Sequence, residues 1–316
     1  MNDAEEPAAQ VPPGAHAPHP PPHQPPLHWL AAATLALVLC FSRPLYALVR
    51  FALQSDLYSH IVLVPLISAY LVWLKRQALP PASAPRRRAA ATPLVIGLVL
   101  LAGYWIAALS GTELAAEDSL ALTTLSFLMF FGAICALFLG KPTLRAIAFP
   151  LGFLAFMVPI PVFLTNAIET FLQYGSAAVA FGIFKVVGTP VMFRGLSFQL
   201  PGFNMEVAPQ CSGIHSSLAL FITSLLAAYF FLRRPWKRAA LALAVVPLAM
   251  LRNGLRVFVI GELCVHIGPE MSTSYIHRHG GPLFFVLSLI PFFLLLLFLM
   301  KSDQPGAKPA AGKLGA

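Results

Sequence analysis

The sequence predicts an all-α polytopic membrane protein of about eight transmembrane helices, and three observations carry that expectation. Hydrophobic residues make up 58% of the 316 positions and charged ones only 10%, with a mean hydropathy of +0.77. That balance lies outside the range of soluble globular domains. Apolar runs long enough to cross a hydrocarbon core of about 30 Å recur along the chain, and the basic residues collect between alternate runs, as expected when short basic loops stay in the cytoplasm.

Residues 1–27 are rich in Pro, His and Ala and carry no Lys, no Arg and no hydrophobic period. Such a segment cannot bury a core and reads as a disordered cytoplasmic tail. It also lacks the basic start and small-residue cleavage site of a signal peptide, so the first span is expected to stay in the mature chain. One integral membrane domain, 28–300, follows. Its eight apolar runs lie at 28–50, 59–74, 93–111, 119–139, 146–164, 211–232, 239–261 and 281–300. The fifth contains Pro150, Pro159 and Pro161 and is expected to be kinked, which membranes tolerate. Residues 301–316 form a short Pro/Gly/Ala/Lys tail.

Orientation follows from the basic residues. Lys75, Arg76, Arg86, Arg87 and Arg88 follow the second span, and Lys141 and Arg145 the fourth. Arg233, Arg234, Lys237 and Arg238 follow the sixth, and Lys301, Lys308 and Lys313 lie in the tail. These are fourteen of the 21 Lys and Arg, and eight spans put all of them on one side. Asp56, Glu113, Glu117, Asp118, Glu169, Glu206, Glu262 and Glu270 fall in the opposite loops. Both termini are then cytoplasmic, the chain is multi-pass, and the net charge of +9 reflects topology and gives no reason to invoke nucleic acid.

A single loop is long enough for structure of its own, an outer-face insertion at 165–210. Its first half, 166–187, is apolar with sparse polar residues (Glu169, Gln173, Lys185) and suits an interfacial or re-entrant helix. In its second half, 191–200 and 203–207 partly alternate around Pro201-Gly202, which predicts a small β-hairpin leading towards Cys211.

The four cysteines, at 40, 135, 211 and 264, form no Cys-x-x-Cys pair and show no zinc-site spacing, so neither a metal nor a cofactor is expected. Cys40 and Cys135 sit inside spans, where cysteine behaves as a small hydrophobe. Cys211 is placed differently, at the start of the sixth span beside Ser212, Gly213, Ser216 and Ser217, with His215 one turn on. A helix N-terminus or a nearby cation lowers a thiol pKa towards neutrality and makes the thiolate available. Arg252 and Arg256 share one face of the seventh span, with Asn253 between them, and an intramembrane arginine calls for a partner or a function. His266, His277 and His279 lie in the loop before the last span, and spacing alone does not choose a proton carrier among them. His60 belongs to a further polar cluster, Asp56 to His60, on the outer side. The topology thus brings Cys211, Arg256 and the His277 region to one face from three segments.

These motifs together resemble the exosortase/archaeosortase family of membrane cysteine transpeptidases. The resemblance rests on Cys211-Ser-Gly-Ile, Asn253-Gly-Leu-Arg256-Val and His277-x-x-x-Gly281, in the family's order and spacing. It includes Tyr58-Ser-His60, Leu63-Val-Pro65 and the run Tyr70, Trp73, Arg76, and it covers residues 45–300. It implies Cys211 as nucleophile, with Arg256 and His277 completing the catalytic set. It further implies substrates that are secreted proteins with a C-terminal motif such as Pro-Glu-Pro, one transmembrane helix and a basic cluster, passed to a cell-envelope acceptor of unknown identity at the outer face. Arg252, Arg194, His215, His60 and Asn253 are candidate substrate contacts, the first three for an acidic motif residue. His215 and Ile61 depart from the residues common in relatives, which leaves the sorting signal open. The competing reading is a transporter or polysaccharide-export component whose arginines line an anion path; it expects internal repeats, and the chain shows none.

Overall fold

The computed structural model describes residues 27–80, 87–207, 212–268, 270–271 and 281–302. Helices dominate: α1 (Leu27–Cys40), α2 (Ser42–Gln54), α3 (Leu63–Lys75), α4 (Arg87–Leu109), α5 (Ala116–Ala146), α6 (Ala148–Phe153), α7 (Val162–Val187), α8 (Ile214–Phe231), α9 (Pro235–His266) and α10 (Gly281–Lys301). Between α7 and α8 lie β1 (Met192–Arg194), β2 (Ser197–Leu200) and β3 (Phe203–Glu206). Among the described residues seven helices, counted with their flanking turns, are long and apolar enough to cross a membrane, or eight if the bent pair α1–α2 is one span. The protein is therefore an all-α multi-pass membrane protein with a small antiparallel sheet.

Three spans differ from the run-by-run expectation. The first is two helices meeting at 70°; Phe41 at the bend keeps its bonds to Leu37 O and from Leu45 N, but Pro44 has no N–H to offer Cys40 O, which opens the ladder there. The fifth run, 146–164, is no continuous helix: α6 passes into a 3-10 turn at Leu154–Met157, and Pro159 and Pro161 supply no N–H to carry a ladder further. Helix α7 starts immediately after Pro161 and extends 26 residues, about 39 Å at helical rise, so it continues from the end of the fifth run through the first half of the insertion as one helix.

The chain divides into two compact units. In the first, polar side chains bond to backbone carbonyls of neighbouring segments. Ser126 Oγ donates to Gly97 O at 2.8 Å, Ser68 Oγ to Pro150 O at 2.8 Å and Lys75 Nζ to Ala146 O at 3.2 Å. Gly97 faces Phe130 so closely that a Cβ would stand 2.9 Å from its ring. Tyr70 stacks on Trp73, and Arg76 lies over the Trp73 ring at 4.3 Å. The Tyr-x-x-Trp-x-x-Arg run is thus an exposed aromatic and basic ladder at the end of α3, the composition of a membrane interface.

In the second unit α7 and α9 run parallel and touch through small residues. A Cβ at Gly175 would meet Met250 Sδ at 2.5 Å, one at Gly254 would meet Val179 Cγ1 at 2.7 Å, and one at Gly261 would meet Phe184 Cζ at 2.6 Å. Small residues let two backbones approach where lipid removes the hydrophobic drive for helix association. Helix α8 packs antiparallel to α9 with α10 alongside, around Leu220, Leu241, Val245 and Phe292. The buried Lys237 Nζ donates to Leu299 O at 3.2 Å and Ser302 Oγ at 2.9 Å, closing the last turn of α10.

The predicted hairpin about Pro201-Gly202 is present, with Leu200 paired to Phe203. Its first arm folds once more at Gly195, where φ is +63°, so the sheet has three strands in the order β1-β2-β3. Phe198 and Leu200 point inward onto Phe184 and Val257, while Ser197 and Gln199 point out.

Candidate active site

Two of the proposed catalytic residues, Cys211 and His277, lie outside the described residues, as does His279; the geometry concerns the frame around Cys211. Both sides of that frame are anchored. Upstream, Val207 O accepts a bond from the buried Gln173 Nε2 of α7 at 3.2 Å. Downstream, Gly213 takes φ +74° just before α8, and its carbonyl accepts Ser217 N at 3.0 Å, Ser217 Oγ at 2.7 Å, Ser216 Oγ at 3.2 Å and Arg252 Nη2 at 3.1 Å. Arg252 Nη2 also reaches Ser217 Oγ at 3.2 Å. Only Gly meets both demands at 213, because a Cβ there would stand 2.9 Å from Arg252 Nη2 in a backbone region that L side chains rarely adopt.

Arg252 is 7% exposed, and its Nη1 is buried without a hydrogen-bond partner among the described residues. Placed on the seventh span as a candidate substrate contact, it meets the chain two residues downstream of Cys211. Asn253, also buried, lies with its Oδ1 3.5 Å from the Cβ position of Gly213. The Asn-Gly-Leu-Arg motif thereby acquires a physical account. Asn253 faces the α8 turn, Gly254 admits α7 with Ser176 O only 2.9 Å from its would-be Cβ, and Arg256 follows one turn beyond Arg252, half-buried.

The Asp56–His60 segment belongs to the same neighbourhood. Leu57 packs on the cluster of Leu172, Ile214 and Ala249, and Ile214 is the first residue of α8. His60 is half-buried with Nδ1 3.1 Å from Leu57 O. Tyr58 donates to Ile160 O at 3.1 Å. Burial raises the Tyr58 phenol pKa above its ordinary value; a hydrogen bond with Thr165 opposes this, and the carboxylates of Glu117, Glu169 and Asp118 add to the rise. Asp118 Oδ1 accepts Val162 N at 2.9 Å, supplying the first turn of α7 with the negative partner its free N–H groups call for.

Other candidates stand apart. His215 is exposed on the first turn of α8, and Arg194 is exposed on β1, paired with Ser197. His266 bonds Glu262 at 3.0 Å, and Glu262 also accepts the Thr189 hydroxyl; this cluster lies six to ten residues beyond Arg256, about 9 to 15 Å along α9. Below the Gly213 turn an apolar cavity of about 320 Å³ opens between α7, α8 and α9, bounded by Ile168, Phe171, Ile214, Ser217 and Val246. Sequence reasoning names Ser217 only as a polar neighbour of Cys211 and does not place Gln173 in the site; a glutamine within an apolar helix is the available signal for the latter.

A multi-pass membrane protein with a left-handed glycine turn braced by a buried arginine is the class that fold and site define. The model of the transmembrane exosortase family, EpsH type, matches residues 50–294, well over half of the chain. The protein belongs to that family, which is linked to the sorting of PEP-CTERM proteins and generally regarded as transpeptidases. No curated protein and no solved structure matches the chain.

Proposed function

We propose that this exosortase-family protein is a cysteine transpeptidase that cleaves membrane-anchored sorting signals at the outer face of a bacterial inner membrane. The observation that carries this reading is the Arg252–Gly213 contact. It joins the turn next to Cys211 to the Asn253–Arg256 segment, and so brings together two of the three segments that hold the proposed catalytic set.

Helix α8 has 18 residues, about 27 Å, between Gly213 and the basic stretch Arg233 to Arg238. That is one hydrocarbon thickness, so with the basic stretch cytoplasmic the Gly213 turn lies at the outer boundary. The end of α9 beyond Arg252, the parallel end of α7 and the sheet then stand outside the membrane as one headpiece, the outer insertion of the membrane domain, and both termini are cytoplasmic. A substrate anchored by one helix, its basic tail retained in the cytoplasm, presents its cleavage motif at that depth. The apolar cavity beneath the turn suits the top of the substrate's helix.

In the reaction His277 takes the Cys211 thiol proton, and the thiolate attacks the scissile carbonyl. Arg256 stabilises the oxyanion, a contribution of about 3 kcal/mol in a water-poor site. The C–N bond breaks, the leaving amine takes the proton from His277, and the membrane helix departs, leaving a thioester. An amine or hydroxyl of an envelope acceptor, deprotonated by His277, attacks the thioester and regenerates the thiol. Arg252 and the buried Asn253 hold the nucleophile's turn, which leaves the half-buried His60 and the exposed His215 and Arg194 to meet the signal as it arrives. Replacing Cys211 by Ala or Ser and following a co-expressed substrate by gel mobility tests the assignment: processing stops, and unchanged processing overturns it.

A further inference from the structure

We infer that the outer edge of β3 is a peptide-binding site, on which the segment of the substrate just upstream of its scissile bond adds as a parallel fourth strand; this rests on the assignment of Cys211 as nucleophile.

The direction of the backbone groups decides which edge is available. Val207 N donates to Leu196 O, in the same register as Phe198↔Met205 and Leu200↔Phe203. Residues that exchange backbone bonds alternate along an antiparallel pair. Phe203, Met205 and Val207 therefore turn their N–H and C=O groups towards β2, and Asn204 and Glu206 turn theirs away. The central strand is satisfied on both sides, with Ser197 and Gln199 facing β1. Among the described residues no strand pairs with the outer groups of Asn204 and Glu206. Of the devices that usually blunt an open edge, β3 has no proline, no lysine and no bulge in its register; it is short, four residues with a single charge at Glu206, room for a motif of a few residues. The opposite edge is a poorer template, because Met192 and Arg194 face β2 and only Phe193 turns outward.

Position and direction point to the substrate. Leu200, the partner of Phe203, lies 3.2 Å from the Cβ position of Gly261, whereas Val207 is held by Gln173, eleven residues earlier along α7 than the Phe184 that meets Gly261. Strand β3 thus descends alongside α9 towards the Gly213–Arg252 contact and leads to Cys211 five residues later. A substrate chain whose C-terminal helix enters the membrane runs the same way, so pairing is parallel and the paired residues precede the cleaved bond. A Pro-Glu-Pro motif fits this mode. Its two prolines share one parity and can both turn their missing N–H positions to solvent, while the intervening residue offers its N–H and C=O to β3. Backbone pairing supplies affinity and alternate side chains supply selectivity.

The test uses Cys211→Ala protein in detergent and a fluorescein-labelled synthetic peptide containing Pro-Glu-Pro, with binding read by anisotropy. N-methylation of the Glu backbone nitrogen, and of nitrogens of the same parity, is expected to weaken binding about tenfold, the value of one lost hydrogen bond. Methylation at the opposite parity leaves binding unchanged. Asn204→Pro, which removes an outward N–H and spares the β2–β3 ladder, weakens binding by a similar factor. Uniform tolerance of N-methylation, or sensitivity without alternation, overturns the proposal. Cleavage of the unmodified substrate by the wild-type protein but not by Cys211→Ala reports on the parent reading separately, so the two can fail independently.

Discussion

Replacing Gly213 by alanine is expected to loosen the first turn of α8 by about 2.5 to 5 kcal/mol, a sum of two separate effects. Holding a residue with a Cβ at φ +74° costs about 1–2 kcal/mol. The new Cβ would stand 2.9 Å from Arg252 Nη2, so the guanidinium must give up one of its bonds, to Gly213 O or Ser217 Oγ; a hydrogen bond to a charged group contributes about 1.5–3 kcal/mol. Arg252 is almost fully buried, so solvent screening does not erase that second part. Ser217 N donates to Gly213 O, and its amide hydrogen exchange reads the opening of the turn. Exchange should accelerate by about two to three and a half orders of magnitude at about 1.4 kcal/mol per decade. In an Arg252→Ala background the clash is gone, and Gly213→Ala should add only the backbone strain, about five- to thirtyfold. Equal accelerations in the two backgrounds would refute the Arg252–Gly213 contact, and an unchanged Ser217 rate in the single variant would refute the strain as well.

Gly254→Ala places a Cβ against Val179 and Ser176 O, and is expected to lower unfolding stability in mixed detergent by about 1–3 kcal/mol; an unshifted unfolding midpoint would show that α7 and α9 do not meet there. Lys237→Met removes the bonds to Leu299 O and Ser302 Oγ; faster exchange confined to the last turn of α10, by about tenfold or more, is expected, and uniform exchange along α10 contradicts the capping role. Because the folded-state pKa of Tyr58 is raised, the protonated phenol contributes stability that is complete below about pH 10 and is lost as pH rises through the folded-state value. Wild-type stability should therefore fall more steeply than that of Tyr58→Phe at alkaline pH, and parallel curves would exclude the shift.

Much of the architecture was legible from the chain because hydropathy and charge are additive along a segment. The apolar runs at 93–111, 119–139 and 281–300 needed only length and composition, and the Pro201-Gly202 turn needed only local backbone preference. The segment from 146 to 187 was harder. Its summed hydropathy is high throughout, so composition could not tell that the ladder breaks at Pro159 and Pro161 and that a long helix begins at Val162. The extra turn at Gly195 was missed because its flanking residues carry weak alternation.

By itself, the sequence determined that the chain crosses a membrane several times, carries a small sheet before Cys211 and bears the exosortase motifs. Only the tertiary structure decided which groups meet. Arg252 and Arg256 lie four apart on one helix face, and nothing in their spacing says which of them reaches the Gly213 carbonyl. That depends on the register between α8 and α9, set by side-chain packing and by the close approach of α7 at Gly254. Likewise Gln173 and Val207 are 34 residues apart, and their bond exists because α7 and the sheet bury a common core. Periodicity is a one-dimensional property, whereas the frame around Cys211 is made by helices whose relative heights no single segment encodes.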